Sequence, residues 1–181
     1  KWAKILFPIN RSITGEGLRK TIQFIKKNSN KNFKKFKIKS NTRVFDWKIP
    51  LEWKITEAYI KEIDGKKICD FRDNNLHVLG YSKNINKLLN FNELKKNIFY
   101  LKRIPNAIPY FTSYYKKNWG FCLTYNQFKK MNKKSKYQVK INSEHFKGGL
   151  DYTELLIKGK SKKEILIISY ICHPSMANNE L

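Results

Sequence analysis

The residue types best suited to chemistry cluster around His173. It follows residues 164–171, an almost continuous apolar run that predicts a strand buried on both faces of a sheet. Open α/β sheets place their ligands at the carboxyl ends of such strands, and imidazole is a common ligand for zinc and similar metals. His173 is therefore a candidate metal ligand, and Glu180 is the one acid in the stretch after it.

A Cys–His nucleophile is an alternative use of this region, because Cys172 precedes His173. Adjacent strand residues point to opposite faces, which argues against that pair. Cys69, Cys122 and Cys172 form an odd set without paired spacing, which argues against a disulfide framework and favours a reducing, cytoplasmic compartment. No stretch approaches the ~18 apolar residues of a membrane span, so no membrane is expected as a partner.

Other candidate sites have purely structural alternatives. Residues 11–17 form a glycine-bearing loop ahead of a helix, which is either an anion-binding loop or a capping loop. His77 and His145 stand outside any motif, and we interpret them as surface or loop histidines. A group of aromatic residues could stack on a sugar or a base, or could form the core of a small β module. Its members are Trp47, Trp53, Tyr110, Tyr114, Tyr115 and Trp119.

The 181-residue chain carries 38 lysines and arginines against 14 acids, a formal net charge of +24. Such a charge is typical of proteins that bind nucleic acid or anionic membranes. Only five of the basic residues are arginines, the type that base-reading proteins favour, and the lysines are scattered beside abundant Asn and Ile. We interpret the charge as compositional bias, and we do not expect nucleic acid to be a partner of this chain.

The sequence predicts an α/β part interrupted by a β-rich insertion. A helix is expected at residues 18–27 and a strand at 33–39, from their apolar periodicities. Residues 46–132 are rich in aromatic residues and turns and are assigned to the insertion. Residues 1–45 and 133–181 then form the α/β domain.

A hairpin is the clearest local signal in the insertion. The Asp64-Gly65 pair predicts its turn, between strands at 55–63 and 67–71. The other elements expected are a helix at 89–97 capped by Asn90 or Asn92, and strands at 76–81, 108–115, 119–124, 137–141 and 152–157.

Four stretches of the sequence, taken in order, match a known pattern. They are residues 7–15 (FPINRSITG), 45–53 (FDWKIPLEW), 108–122 (IPYFTSYY to WGFC) and 172–178 (CHPSMAN). In that order they resemble the bacterial aminopeptidase-like domain family, long known only as a domain of unknown function. The resemblance covers essentially the whole chain, and we expect the chain to be an N-terminal fragment of such a protein.

The resemblance implies a zinc-aminopeptidase-like fold, that is, a phosphorylase/hydrolase-like mixed α/β sheet. In this chain the sheet would be incomplete. The family has a small β-rich domain inserted near the amino end and a winged-helix domain at the carboxyl end. Genes of the family are often found beside genes for surface-polysaccharide synthesis, which is context and not activity.

The resemblance also assigns site residues. His173 matches the first metal-ligand histidine, and Asn179 falls where zinc aminopeptidases have the aspartate that bridges two zinc ions. A neutral amide is a poor bridge because it cannot offset the charge of two cations. The alternatives are a site with one zinc ion instead of two, a shifted ligand in Glu180, or a fold that has lost peptidase activity.

Three functions follow as hypotheses. The first is an aminopeptidase-like metallohydrolase that uses a metal-bound water and a carboxylate base on a peptide or an amide-containing small substrate, with one or two zinc ions in the full-length protein. The second is a non-catalytic binding protein on the same fold, acting in surface polysaccharide biosynthesis, and Asn179 favours it. The third is a basic protein associated with nucleic acid through a winged helix, which the charge favours weakly.

Overall fold

Residues 2–29 and 31–173 are described by the structure, a computed structural model. Their helices are α1 (Trp2–Leu6), α2 (Glu16–Ser29), α3 (Phe91–Leu94) and α4 (Tyr125–Lys129), with 3-10 turns at Asn75–His77 and Lys95–Asn97. Their strands are β1 (Lys34–Lys39), β2 (Arg43–Val44), β3 (Trp47–Lys48), β4 (Glu52–Glu62), β5 (Lys67–Asp70), β6 (Ile85–Asn90), β7 (Ile98–Phe99), β8 (Phe121–Cys122), β9 (Lys136–Phe146) and β10 (Gly149–Glu154). The class is mixed α/β with small sheets.

The chain divides into two compact units. The first contains Lys1–Glu52 and Phe146–Leu181, and the second is Trp53–His145. The sequence-based boundaries were 45/46 and 132/133, whereas the structure divides the chain at 52/53 and 145/146. The second boundary differs because β9 pairs with β6 in the sheet of the second unit, and an alternating strand does not reveal from its own sequence which sheet it joins.

In the first unit, helix α2 and a two-stranded sheet are the main elements. The predicted amphipathic helix is confirmed, since α2 buries Leu18, Thr21 and Ile22 on one face. The predicted strand at 33–39 is confirmed as β1, which pairs antiparallel with β10. Phe36 and Tyr152 face each other across this pair, with ring centroids 5.1 Å apart.

In the second unit, a four-stranded sheet in the order β5-β4-β9-β6 organises the core. The predicted hairpin is confirmed, because β4 and β5 pair antiparallel around Gly65, whose φ of +104° lies in the region that glycine tolerates best. The predicted cap is also confirmed: the side chains of Asn90 and Glu93 form a reciprocal capping box at the start of α3. Strands β7 and β8 form a short parallel pair.

The prediction of a buried strand at residues 164–171 is wrong for the described structure. None of these residues lies in a strand, and Ile165 and Ile167 are 91% and 87% exposed. A strand buried on both faces needs hydrogen-bonded neighbours and a layer on each face. Among the described residues, β1 and β10 pair only with each other, so they supply neither.

Two shorter strand predictions also fail. Residues 76–81 and 108–115 make only isolated bridges, Val78 to Phe121 and Gly80 to Thr112. Both segments are irregular in the structure, and a short apolar run is not distinguished from a strand by its sequence alone.

Candidate functional site

The first candidate site centres on the contact between Arg11 and His173. The Arg11 guanidinium donates from Nε and Nη2 to the main-chain carbonyl oxygen of His173, at 3.0 and 2.9 Å. Its Nη1 donates to the carbonyl oxygen of Leu6 at 2.6 Å. Arg11 is almost fully buried, and hydrogen bonds from a charged donor are stronger than neutral ones. The backbone at His173 is therefore held at a fixed place beside the loop that begins at residue 11.

The loop at residues 11–17 is built to hold Arg11. The Ser12 hydroxyl donates to the carbonyl oxygen of Thr14 at 2.7 Å, and both residues are buried. A Cβ at Gly17 would lie 1.8 Å from the Asn10 carbonyl oxygen, so only glycine fits there. Of the two interpretations offered by the sequence, the structure favours a structural loop, because its buried arginine binds a carbonyl of this chain.

A second cluster of charges in the first unit ties α2 to the sheet. The Arg19 guanidinium donates to both carboxylate oxygens of Glu52, at 3.1 and 2.9 Å, and to Asp151 at 3.1 Å. Both acids are buried. Lys37 donates to Glu52, and Lys35 pairs with Asp151, each at 3.2 Å. Every charge in this cluster has a partner, which satisfies the requirement for buried ions.

The electrostatics of Glu52 follow from these contacts. Burial by itself raises the pKa of its carboxyl, because it penalises the charged form. Hydrogen bonds from Arg19, from the Gly149 amide at 3.0 Å and from Lys37 oppose this and outweigh it, so the pKa lies below its ordinary value. Glu52 is thus held as a carboxylate in a structural role.

The predicted metal ligands are only partly described. His173 is half-buried and lies at the edge of the described range, whereas Asn179 and Glu180 lie outside it. Among residues 2–29 and 31–173, no three His, Cys, Asp or Glu side chains are grouped so that they could hold a metal ion. Zinc sites use three or four protein ligands, so the described residues alone do not form one.

His77 is not a surface histidine, as the sequence had suggested, but a core residue. It is buried, and its Nδ1 lies 2.8 Å from the carbonyl oxygen of Cys122. A carbonyl only accepts, so Nδ1 carries the proton. Burial lowers the pKa of His77 and raises that of the Cys122 thiol to about 12. Burial also raises the pKa of Cys69, so both thiols are inert. His145 is exposed, as expected.

The second candidate site is a cavity of about 320 Å³ in the second unit. This volume lies at the lower end of the range of small-molecule pockets. The cavity is lined by Leu79, Phe99, Phe111, Thr112, Ser113, Tyr114, Tyr115, Lys116 and Asn118. Leu79 is buried, while Phe111 and Tyr115 are 38% and 64% exposed, so aromatic surface is presented to solvent at this place.

The aromatic group singled out from the sequence is divided by the fold. Trp53 is core: its Nε1 donates to the Ser82 carbonyl oxygen at 2.9 Å, and its ring stacks on Tyr81. Tyr114 and Tyr115 line the cavity, and the Tyr114 ring meets Tyr81 edge-on, with centroids 4.8 Å apart. Trp47 belongs to the first unit. The core interpretation is therefore confirmed for Trp53, whereas stacking on a sugar or a base stays a prediction for Tyr114 and Tyr115.

The sequence did not single out every lining residue. Phe99, Phe111, Lys116 and Asn118 were missed, because Phe99 in β7 meets the segment 111–118 that carries the other three only after folding. The dense run of tyrosines between residues 110 and 115, next to a polar turn, was the available signal.

The sequence of the second unit matches a known protein family. Residues 52–144 match the family described as "Domain of unknown function (DUF2172)", and they make up slightly more than half of the chain. The chain belongs to the DUF2172 family. The resemblance found in the sequence is thereby confirmed, and the relatives below extend it.

A curated relative from Clostridium acetobutylicum is named "Putative polysaccharide biosynthesis protein with aminopeptidase-like domain". It is 47% identical over 179 residues, which are 97% of this chain and 40% of the relative. A crystal structure described as that of a "putative peptidase" from the same organism superposes with a TM-score of 0.90 at 45% identity. The match covers 97% of this chain and 41% of that one, so the chain spans well under half the length of these relatives.

Within the described ranges, no helix combines the length and the apolar character that crossing a bilayer requires.

Proposed function

We propose that this chain forms part of an aminopeptidase-like hydrolase that acts on a peptide or an amide-containing small substrate in the cytoplasm. His173 would be one ligand of a zinc or similar ion, and the other ligands, Glu180 among the candidates, lie outside the described residues. The names of the relatives support the hydrolase class. Because the chain spans 40% of the curated relative, the activity is assigned to the longer protein.

The observation that carries the proposal is the pair of hydrogen bonds from Arg11 to the His173 carbonyl oxygen. A metal ligand must be held in place before the metal arrives, and residues around the ligand commonly do this. Here a buried guanidinium holds the main chain of the ligand itself, 162 residues away in sequence. The cost of burying Arg11 is hard to explain if His173 were an ordinary surface residue.

The fold supports the same proposal through residues 164–171. Four side chains in this run, Ile165 to Ile168, are more than 80% exposed, and exposed apolar patches of this kind mark surfaces that are covered in the functional state. We propose that in the longer protein this run is a central strand of a zinc-aminopeptidase-like sheet. His173 would then lie at its carboxyl end, where such sheets place their sites.

Metal analysis of the full-length protein tests the assignment. We expect bound metal in the native protein and its loss in a His173→Ala variant. His145→Ala is the matched control, because His145 is exposed and belongs to the other unit, and it should retain the metal. Equal metal in the native protein and the His173→Ala variant would show that His173 is not a ligand.

A non-catalytic binding protein on the same fold, acting in surface polysaccharide biosynthesis, is the second candidate. Asn179 favours it, because an amide replaces the bridging aspartate that the family pattern requires. Near-zero metal in native protein, purified without chelator, would support this candidate against the first. If metal is present, a Glu180→Gln variant that loses it would identify Glu180 as the substitute ligand and favour the hydrolase.

A further inference from the structure

We propose that the cavity of the second unit binds a pyranose ring that carries an anionic substituent. Such a ligand would be bound by the DUF2172 domain itself, independently of His173 and of the proposed hydrolase. The ordered walls of the cavity, its exposed aromatic surface and the charge at its edge all favour this ligand.

The cavity is preformed by backbone hydrogen bonds. Gly80 holds one wall: its amide donates to the Phe111 carbonyl oxygen and its carbonyl oxygen accepts from the Ser113 amide, both at 2.9 Å. A Cβ at Gly80 would lie 3.1 Å from Thr112 Oγ1, so the two segments approach closely because residue 80 is glycine. The Asn118 carbonyl oxygen accepts from the Lys83 amide at 2.8 Å and anchors the opposite end of the loop. A ligand would meet a wall that is already ordered.

The aromatic surface of the cavity suits one face of a sugar ring. Phe111 packs against Phe99 with centroids 5.4 Å apart and an interplanar angle of 41°, and it still leaves over a third of its surface in water. Tyr115 is more exposed. A pyranose offers an apolar face of C–H groups to such rings and keeps its hydroxyls at the edge, so it covers aromatic surface without burying unpaired polar groups.

The polar edge of the cavity fits the remainder of such a ligand. The Asn118 side-chain oxygen accepts from the Trp119 amide at 2.8 Å, and its NH2 group donates to no other described residue, which leaves two donors for sugar hydroxyls. Lys116 brings the only charge among the lining residues, and within the described residues its ammonium forms no ion pair. An anionic substituent, a carboxylate or a phosphate, complements that charge.

A nucleobase fits the geometry less well. Bases are held by stacking face to face on aromatic side chains. The rings lining this cavity are tilted or edge-on to their neighbours: 41° for Phe99 with Phe111, and 81° for Tyr114 with Tyr81. We therefore place the base among the outcomes that would overturn the proposal.

Titration of the chain, followed by amide chemical shifts, tests the proposal. The probes are glucuronic acid, galacturonic acid, glucose 1-phosphate, glucose and uridine monophosphate. We expect shifts at residues 111–118 with at least one acidic sugar or sugar phosphate, and weaker ones with glucose. The comparison of uronic acid with sugar phosphate identifies the source of the anion. Absence of shifts there with all four sugars, or a stronger response to uridine monophosphate, would overturn the proposal.

Variants then locate the contact. Tyr115→Ala should weaken binding about tenfold, the effect of losing one stacked ring, while Tyr115→Phe should bind nearly as the native chain does. Phe45→Ala is the control, since Phe45 is an exposed aromatic residue of the first unit. Tyr115 is itself exposed, so these variants should fold, and equal affinity of Tyr115→Ala and the native chain would place the ligand elsewhere.

Two neighbouring lysines test the charge. Lys116 lines the cavity and Lys117 does not, although both are exposed. Lys116→Gln should weaken binding of the acidic probe up to about fivefold, the range of an exposed ion pair, and should leave glucose unaffected. Lys117→Gln should change neither. Equal effects of the two substitutions would show that the lysines act only through the general positive charge of the surface. That result would contradict a specific contact between Lys116 and the anion.

Discussion

The interiors of the two units differ in the types of residue that they bury. In the described part of the first unit, the buried apolar residues are Leu6, Leu18, Ile22 and Ile49, and beside them lie the buried Arg11, Thr21, Glu52 and Asp151. The second unit has a continuous apolar core, with Phe121, Leu94, Tyr137 and Ile141 wholly buried. Ion pairs and charged hydrogen bonds therefore make up a larger part of the interior of the first unit, whereas apolar packing dominates the interior of the second.

The two units also differ in the functional features that they carry. The first unit leaves its most apolar segment, residues 164–171, in solvent and carries the proposed metal ligand beside it. The second unit has a buried apolar core and exposes two aromatic rings at the cavity, Phe111 and Tyr115, beside four aliphatic side chains elsewhere on its surface, Ile63, Leu88, Leu101 and Ile104. A complete core with a shaped cavity suits a binding module, whereas an uncovered apolar run suits an element that functions only when more protein packs on it.

The largest effect is expected in the core of the second unit. Phe121→Ala should lower the free energy of unfolding by about 4 kcal/mol, because it removes a fully buried ring and leaves a cavity. Urea unfolding of the chain, followed at amides of β9, measures this. Phe45→Ala, at a residue 91% exposed, should change it by less than about 0.5 kcal/mol. Similar effects of the two substitutions would contradict an apolar core centred on Phe121.

A somewhat smaller effect is expected from the ion cluster of the first unit. Arg19→Ala should cost about 3 kcal/mol, measured at amides of β1, because it leaves Glu52 and Asp151 buried with only two lysines. Arg43→Ala is the matched control, since Arg43 is exposed and makes one hydrogen bond, at 3.3 Å. A loss below about 0.5 kcal/mol for Arg19→Ala would mean that the first unit does not depend on these charges.

The smallest effect is a difference in acid sensitivity. Burial lowers the pKa of His77 from its ordinary value of 6.5, so its contribution to the second unit is present above pH 6.5 and is lost as the pH falls through the folded-state pKa. The pKa of Glu52 is lowered from 4.5, so the first unit loses its contribution only below about pH 4.5. Between these values the second unit should weaken first.

Unfolding free energies measured at several pH values check this. His77→Gln should flatten the decline of the second unit between pH 6.5 and 4.5 and leave the first unit unchanged. Some slope should persist, because partial desolvation of the His145 ring, which lies against Tyr81 although the residue is exposed as a whole, also lowers the pKa of His145. A decline equally steep in His77→Gln would show that His77 is not the group that titrates.

Local signals in the sequence were sufficient for several elements and insufficient for both sites. The helix near Leu18, the turn at Gly65 and the cap at Asn90 are set by neighbours within a few residues, so periodicity and turn chemistry predict them. Arg11 meets His173 across 162 positions, and no local pattern encodes such a contact.

The failed strand at residues 164–171 has a similar cause. Its apolar composition predicts that the segment is buried, but composition does not specify which elements pack against it. The lining of the cavity was missed for the same reason, since Phe99 and Lys116 are adjacent only after folding. The sequence shows which residues are apolar enough to need packing partners, and only the fold shows which residues those partners are.

Hydrogen exchange tests the contrast between the units most directly. In the 181-residue chain, we predict that amides of β9 are strongly protected and that amides of residues 165–168 exchange at the rate of an open chain, because they make no strand hydrogen bonds. In the full-length protein, residues 165–168 should become protected while β9 stays unchanged. Equal, rapid exchange of residues 165–168 in both proteins would contradict a central strand there, and with it the proposed aminopeptidase-like sheet.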